Sequence, residues 1–558
     1  MRRRSVILFF SYVLIFILLI IRIVDIQYFK GEELNLKANS QHSYTEVVQE
    51  LKYNVFDSKG INLVDYDNKS ILVIDILAFK RENNSTPLEE IYALDYILRN
   101  YDKSYDLMKI LSEGEVGKKY FTVDKDVLDK IDMLKEIKGV YSYDYSKVHK
   151  GEPWNIVTML IDGIDKGNDG TLQGDLYNII KDNSDTIVSY TKDNEGNINE
   201  QGIKNERDNS NIYLTLNKDI ENTVKGVLKK EEFKDFKDIG VAIMESSTGK
   251  VRAMVQKDDT RPNVLLGSAT ENGFAPGSIF KLVVLGAALN EKLITPNEKF
   301  TCDYTPTLPC RRSHGELTVE QALIESCNNI FAEIGSRLGS EKIINYGKSQ
   351  GLYEKVLPFK GDKEAKGDYV ISKEDEGGAT NISMGQNMRI TPLQALGIAS
   401  TITNGGNYIK PTIVDKVMNG HGEDIKTFQG EKTKVFDARV SSYVKSAMKK
   451  VITDENGTGK MAFIDKNIDM GGKTGTATRM EPIKDKDIEK NNIDLADSED
   501  IKSGLEKHND GWFLGYFKMN NKYYSMVVFV KDIGENHGGG DTAAPIFRDI
   551  IKELNVKK

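Results

Sequence analysis

Three short strings in the second half of the chain carry residue types that could do chemistry together. They are Ser278-Ile279-Phe280-Lys281, Ser326-Cys327-Asn328 and Lys473-Thr474-Gly475. A serine hydroxyl is a weak nucleophile at neutral pH and needs an adjacent base. Pro276-Gly277 precedes Ser278, and an apolar run from Leu282 to Leu289 follows Lys281. That pattern predicts a turn feeding a buried helix with Ser278 at its start. Positions three apart share a helix face, so Lys281 stacks one turn above Ser278 with its amine near the hydroxyl. Burial disfavours the charged ammonium, and a second cation such as Lys473 would do the same. A serine at a helix N-terminus also has backbone N–H groups close to where an oxyanion would form. The chemistry this describes is serine acyl transfer with lysine in place of histidine as the base.

The cysteines are the second informative feature. There are three: Cys302, Cys310 and Cys327, with His314 between the last two. In a protein outside the cytoplasm, three thiols leave an odd one after a disulfide. Three soft ligands and an imidazole instead match a tetrahedral zinc set. Three arrangements stay open at this point: a structural zinc on Cys302, Cys310, His314 and Cys327, a Cys302–Cys310 disulfide with a free Cys327, or three unligated thiols.

The elements that must position these residues read as α+β. Asn211 to Leu216, Gly240 to Met244 and Val251 to Val255 alternate as strands, and Gly511 to Phe517 and Tyr523 to Val530 read as two late strands. His314-Gly315 is expected to open the helix that ends at Ser326. Arg479 to Asp510 is charged with almost no apolar periodicity and reads as a loop beside the cleft. His508 and His537 read as surface residues without a carboxylate partner at a telling spacing. Trp512 reads as core.

The stretch Phe274-Ala275-Pro276-Gly277-Ser278-Ile279-Phe280-Lys281 resembles the nucleophile motif of penicillin-binding proteins. Glu325-Ser326-Cys327-Asn328-Asn329 is similar to their second motif and Gly472-Lys473-Thr474-Gly475-Thr476-Ala477 to their third. Gly385-Gln386, Ile390 to Gln394, Gly457-Thr458-Gly459, Trp512 to Tyr516 and Ala543 to Phe547 also fit, so the resemblance runs from about Asn211 to the C-terminus. It implies a penicillin-binding transpeptidase domain, an antiparallel sheet packed by helices. It implies that Ser278 is acylated by a D-Ala-D-Ala stem peptide and that Lys281 takes its proton. Ser326 would relay protons to the leaving group and Asn328 would hold the substrate amide. Lys473 and Thr474 would bind the substrate carboxylate, beside Gly475 and Thr476 in the substrate-binding strand. The N–H groups of Ser278 and Thr476 would form the oxyanion hole. Elongation-type members resemble the chain in the His-Gly and, in some, the cysteine of the second motif. Some of those hold zinc with that His, that Cys and carboxylates from the preceding loop; here Cys302 and Cys310 would replace the carboxylates.

Composition and the N-terminus suggest where such a domain works. At 558 residues the chain should hold more than one domain, and its net charge of −8 argues against a nucleic-acid binder. Arg2-Arg3-Arg4 precedes an uncharged, mostly apolar run from Ser5 to Ile21, ended by Arg22. The expectation is a cytoplasmic tail (1–4), a single transmembrane anchor (5–24) in a bacterial cell membrane, and an extracytoplasmic remainder. Residues 25–210 read as a mixed, non-catalytic pedestal, with a strand over Ser70–Ile76 and an amphipathic helix over Pro87–Arg99 that turns Leu88, Ile91, Leu94, Tyr96 and Ile97 inward. The transpeptidase domain is expected over 211–558. No glycosyltransferase motif is present. The resemblance therefore implies a monofunctional class B protein, crosslinking peptidoglycan beside a membrane-embedded glycan polymerase and inhibited covalently by β-lactams. A penicillin-binding sensor or scaffold, and an anchored β-lactamase, are the competing readings.

Overall fold

The computed structural model describes residues 2–24, 43–482 and 505–556, apart from short stretches at 115, 135, 165–166, 168–169, 194–195, 206–207, 271, 304–309, 311–312 and 372–375. The N-terminal residues form a helix, Arg2–Val24, of 23 residues. Its described side chains begin at Phe9, and the apolar ones from there to Val24 are exposed. Counted over the described residues alone, no helix is long and apolar enough to cross a membrane.

The chain divides into two compact units. The smaller holds residues 1–52, 65–149 and 183–209; the larger holds 53–64, 150–182 and 210–558. Residues 53–64 and 150–182, on the N-terminal side of a boundary at 211, thus pack with the larger unit. The reason is local pairing: Val55–Phe56 runs parallel to Asn211–Leu214, and Gln173 accepts the Lys360 N–H at 3.1 Å.

In the smaller unit Tyr66–Asp75 is the centre of an antiparallel three-stranded sheet between Lys118–Val123 and Val140–Val148. The expected strand stops at Asp75 because that carboxylate accepts from Leu77 N and Ala78 N and caps a helix over Ile76–Glu82. The expected amphipathic helix is Leu88–Tyr101. Leu94 and Leu98 are its buried apolar residues, joined by the partly buried Ile91 and Ile97. Leu88 and Tyr96 point outward, 67% and 70% exposed, which corrects two of the five expected inward positions.

The larger unit is built on a five-stranded, fully antiparallel sheet. Its strands are β1 (Ile239–Glu245), β2 (Val251–Gln256), β3 (Met470–Pro482), β4 (Leu505–Met519) and β5 (Lys522–Val530). Their spatial order is β2-β1-β5-β4-β3. β1 is buried at every position, as a strand covered on both faces must be. One face packs Val241, Ile243, Phe513, Phe517 and Val528 on a C-terminal helix over Ala543–Val556 through Phe547 and Ile550. The other carries a helix over Pro392–Thr403, buried from Pro392 to Ile402. Its start is fixed by proline in the first turn and by a capping box between Thr391 and Gln394.

β3 continues to Pro482 and β4 begins at Leu505, so both ends of the charged segment expected as a loop are strand, paired in register from Arg479↔His508 to Pro482↔Leu505. The remainder of that segment lies outside the described residues. The pairing escapes a hydrophobicity reading because Arg479 is held by the carboxylates of Asp510 and Asp532 rather than by apolar packing.

Candidate active site and cysteine cluster

Three elements meet around Ser278. The first is a single 3₁₀ turn, Gly277–Phe280, that runs into helix α1 (Lys281–Asn290). α1 is buried from Lys281 to Leu289, so the lysine amine is carried into the interior by the apolar run that follows it. Gly277 has φ +55 and a Cβ there would lie 2.6 Å from Thr476 O. Gly475 is equally confined: its Cβ would meet Pro276 O at 2.8 Å and Trp512 Cβ at 3.1 Å. The nucleophile turn therefore lies directly on β3, and only glycine allows that approach.

The second element is the turn between helices α2 (Val319–Ile324) and α3 (Asn328–Leu338). Gly315–Thr318 is a strand paired with Lys299–Cys302, so His314-Gly315 does not open the helix as expected. The helix starts at Val319, where Thr318 and Gln321 form a capping box. α2 ends with Cys327 N donating to Ala322 O at 2.8 Å and Ser326 N to Leu323 O at 3.2 Å. This is a Schellman end, and its left-handed residue, usually glycine, is Ser326 with φ 57. The conformation aims the hydroxyl into the cleft.

The third element is β3, the sheet's edge strand. Alternation along a strand sends Lys473 and Gly475 to one face and Thr474 and Thr476 to the other. Lys473 is fully buried, and its Nζ donates to Ser326 Oγ at 2.9 Å and to Thr474 O at 3.1 Å. Thr474 Oγ1 donates to Thr458 Oγ1 at 2.8 Å.

Lys281 Nζ donates to Asn328 Oδ1 at 2.7 Å, to Ser326 O at 2.7 Å and to Ser326 Oγ at 3.3 Å. Ser278 is half-buried and lines the same cleft. Among the described residues no hydrogen bond joins its hydroxyl to Lys281. Burial lowers the Lys281 ammonium to about 7, against a smaller upward pull from Cys327 and Cys310. Burial, and then the neighbouring Lys281, put Lys473 well below the ordinary lysine value. The cleft, about 690 Å³, is lined by Ser278, Ser326, Asn328, Thr474 and Thr476. It is also lined by residues whose roles were not read from sequence, Glu325, Asn456, His537 and Asp541. The reading that His508 and His537 lack a carboxylate partner is corrected: His508 Nδ1 lies 3.1 Å from Asp532, and His537 Nδ1, on an exposed side chain as expected, lies 2.5 Å from Asp541 Oδ2. For His537 the signal was a carboxylate four residues on, which on a tightly turned segment brings the two side chains together.

Behind the second motif, one ligand atom each from Cys302, Cys310, His314 and Cys327 lie within 4.8 Å of one another. Cys302 Sγ is 3.3 Å from His314 Nδ1, and Cys310 Sγ is 3.7 Å from Cys327 Sγ. The register Cys302↔Gly315 is what sets Cys302 beside His314. All three cysteines are free and buried, and no disulfide links Cys302 to Cys310. The Cys310 thiol is lowered even though burial opposes it, because the backbone amides of Asn329 and Asn328 at the start of α3 point at it. Burial pushes the Cys327 thiol up.

The profile of the penicillin binding protein transpeptidase domain matches residues 239–552. The chain belongs to that family, the class B penicillin-binding proteins that act as peptidoglycan D,D-transpeptidases. It is 24% identical to stage V sporulation protein D of Bacillus subtilis, across 100% of this chain and 86% of that protein. It is 26% identical to the peptidoglycan D,D-transpeptidase MrdA of Haemophilus influenzae, across 53% of this chain and 46% of that one. The fold is similar to that of a peptidoglycan synthetase from Bifidobacterium adolescentis, with a TM-score of 0.62, 18% identity and coverage of 92% and 96% of the two chains. Penicillin-binding protein 3 of Mycobacterium tuberculosis has a TM-score of 0.58 at 17% identity, with coverage of 92% and 97%.

Proposed function

We propose that this D,D-transpeptidase works through a covalent acyl-enzyme on Ser278. The observation that carries the reading is the buried amine of Lys281, lowered to about 7, in a cleft that Ser278 lines. A lysine near neutrality can accept a proton at physiological pH, where an ordinary one cannot. Its bonds to Ser326 and Asn328 hold it at the floor of the cleft; contacts between base and nucleophile commonly close only with substrate in place.

An extended stem peptide can lie along the edge strand β3 in the manner of an added strand. Its terminal carboxylate is then held by Thr474 and Lys473, and its amide by Asn328. Ser278 Oγ attacks the penultimate D-Ala carbonyl as Lys281 takes the hydroxyl proton. The N–H groups of Ser278 and Thr476 stabilise the oxyanion. Ser326, between the two lysines, passes a proton to the departing D-Ala nitrogen. A second amine then takes the acyl group and gives the crosslink. β-Lactams enter as acylating mimics of the stem.

Zinc fits the cysteine cluster. Two Zn–S bonds of about 2.3 Å at a tetrahedral angle set their sulfurs about 3.8 Å apart, against 3.7 Å for Cys310 and Cys327. Cys302, Cys310, His314 and Cys327 would hold it with no open position, so its contribution would be to fix the loop against the Ser326 turn. Helix Arg2–Val24 would anchor the chain in a bacterial membrane with the remainder extracytoplasmic, beside a glycan polymerase.

The test is covalent labelling with a fluorescent penicillin. Wild type should label stably and Ser278→Ala should not, with its melting curve retained. A label that persists on another residue would refute the assignment, and rapid release of label would favour a β-lactamase.

A further inference from the structure

We propose that His537, oriented by Asp541, receives the proton of the incoming acceptor amine. The inference rests on the acyl-enzyme reading and concerns its second half-reaction, in which an acceptor ammonium must shed two protons. Lys281, neutral again once its proton has passed through Ser326 to the departing D-Ala, can return one of them to Ser278, whereas Lys473 is committed to Ser326 and Thr474. The other proton needs a second acceptor on the solvent side of the cleft.

His537 and Asp541 line the same cleft as Ser278, Ser326 and Thr476. The segment that carries them is tied to the nucleophile side by short contacts. Gly539 N donates to Thr476 Oγ1 at 3.2 Å, and Thr476 in turn packs on Gly277, next to Ser278. Asp541 is itself fixed, since its Oδ1 accepts from Gly538 N at 2.7 Å. Its other oxygen, Oδ2, faces His537 Nδ1 at 2.5 Å. That bond needs the hydrogen on Nδ1, which leaves the lone pair of Nε2 as an acceptor. The His537 side chain is 57% exposed, so Nε2 can meet a solute arriving from solvent. A carboxylate behind an imidazole stabilises the imidazolium once a proton is taken.

An acceptor ammonium gives one proton to His537 Nε2 and becomes a neutral amine. The amine nitrogen bonds to the acyl carbon, and the ester bond to Ser278 Oγ breaks. The second proton shed by that nitrogen restores the Ser278 hydroxyl, and the proton on His537 leaves to solvent.

The experiment uses the full chain in detergent, a thioester analogue of acyl-D-Ala as donor and D-alanine as acceptor amine. The readout is the ratio of aminolysis to hydrolysis from a common acyl-enzyme, with acyl-enzyme followed by intact mass. Proton transfer by a positioned side chain is worth roughly 10²–10⁴ in rate. His537→Gln should lower the ratio by roughly tenfold or more, Asp541→Asn should lower it in the same direction, and added imidazole should raise it again in His537→Ala. A purely structural role would slow both fates of the acyl-enzyme and leave imidazole without effect. A ratio within about twofold of wild type in His537→Gln overturns this inference alone. No acyl-enzyme in the wild type overturns both this inference and the reading beneath it.

Discussion

Lys473 Nζ and Ser326 Oγ are 2.9 Å apart, a bond that joins the edge strand of the sheet to the turn between α2 and α3. Ser326 also accepts from Lys281 at 3.3 Å. One hydroxyl thus sits between two buried amines, and three segments distant in sequence share a single polar contact. Each amine also keeps a further acceptor, Ser326 O and Asn328 Oδ1 for Lys281 and Thr474 O for Lys473, so the hydroxyl can exchange protons with either without stranding a buried donor.

The first prediction follows from Lys281. In the proposed mechanism its neutral form is the base, and burial lowers the amine to about 7. The second-order rate of penicillin acylation should therefore rise with pH through the range 6–8 and level off above it. Lys281→Ala should reduce that rate by roughly 10²–10⁴. Stopped-flow or gel-based acylation kinetics against pH check both; a flat profile would remove Lys281 as the titrating group. The stability linkage has the same sign. A lysine whose folded value is depressed favours the folded state when neutral, so this contribution is complete above the ordinary value of 10.5 and is lost progressively as pH falls from there to about 7.

The second concerns backbone conformation at Ser326. A side chain at positive φ costs on the order of 1 kcal/mol relative to glycine. Ser326→Ala and Ser326→Gly both remove the hydroxyl, but only glycine relieves the strain. The glycine variant should be more stable than the alanine variant by about 1 kcal/mol, while both lose most acylation activity. Thermal unfolding of the pair measures it; equal stabilities would contradict the left-handed turn.

The third concerns zinc. Protein purified without added metal should carry one equivalent by elemental analysis, and Cys327→Ser should carry much less. Chelation should lower the melting temperature, by about 1 °C for each kcal/mol lost in a unit of this size. It should slow acylation only secondarily, because the metal acts through the Ser326 turn. Metal well below one equivalent, with a Cys302–Cys310 disulfide found by mass spectrometry, would defeat the assignment.

A fourth concerns Arg2–Val24. The whole chain should sediment with membranes and come free only in detergent, whereas a chain beginning at Gln27 should be soluble and still label with penicillin. In cells the soluble form should fail to replace the anchored one, since it is no longer held beside a glycan polymerase. Full complementation by the soluble form would count against that partnership.

The sequence by itself singled out the candidate site. Ser278, Lys281 and Lys473 were legible from residue type and from the apolar run after Lys281, and Ser326 and Asn328 from the resemblance of their motif to that of penicillin-binding proteins. The cysteine set was legible as a candidate ligand group from residue types alone. Tertiary structure decided the rest. That Lys281 turns to Ser326 and Asn328 depends on the meeting of α1 with the turn before α3, which no local pattern encodes. The approach of Cys302 to His314 depends on a short strand pairing that the sequence reading took for a helix start. Ser326 holds a position usually left to glycine, and only the observed φ reveals it. His537 looked like a surface residue, and Asp541 was not singled out, because exposure on a cleft wall and exposure on an outer face have the same composition. They differ only in what lies across the gap, and that is set by contacts between residues far apart along the chain.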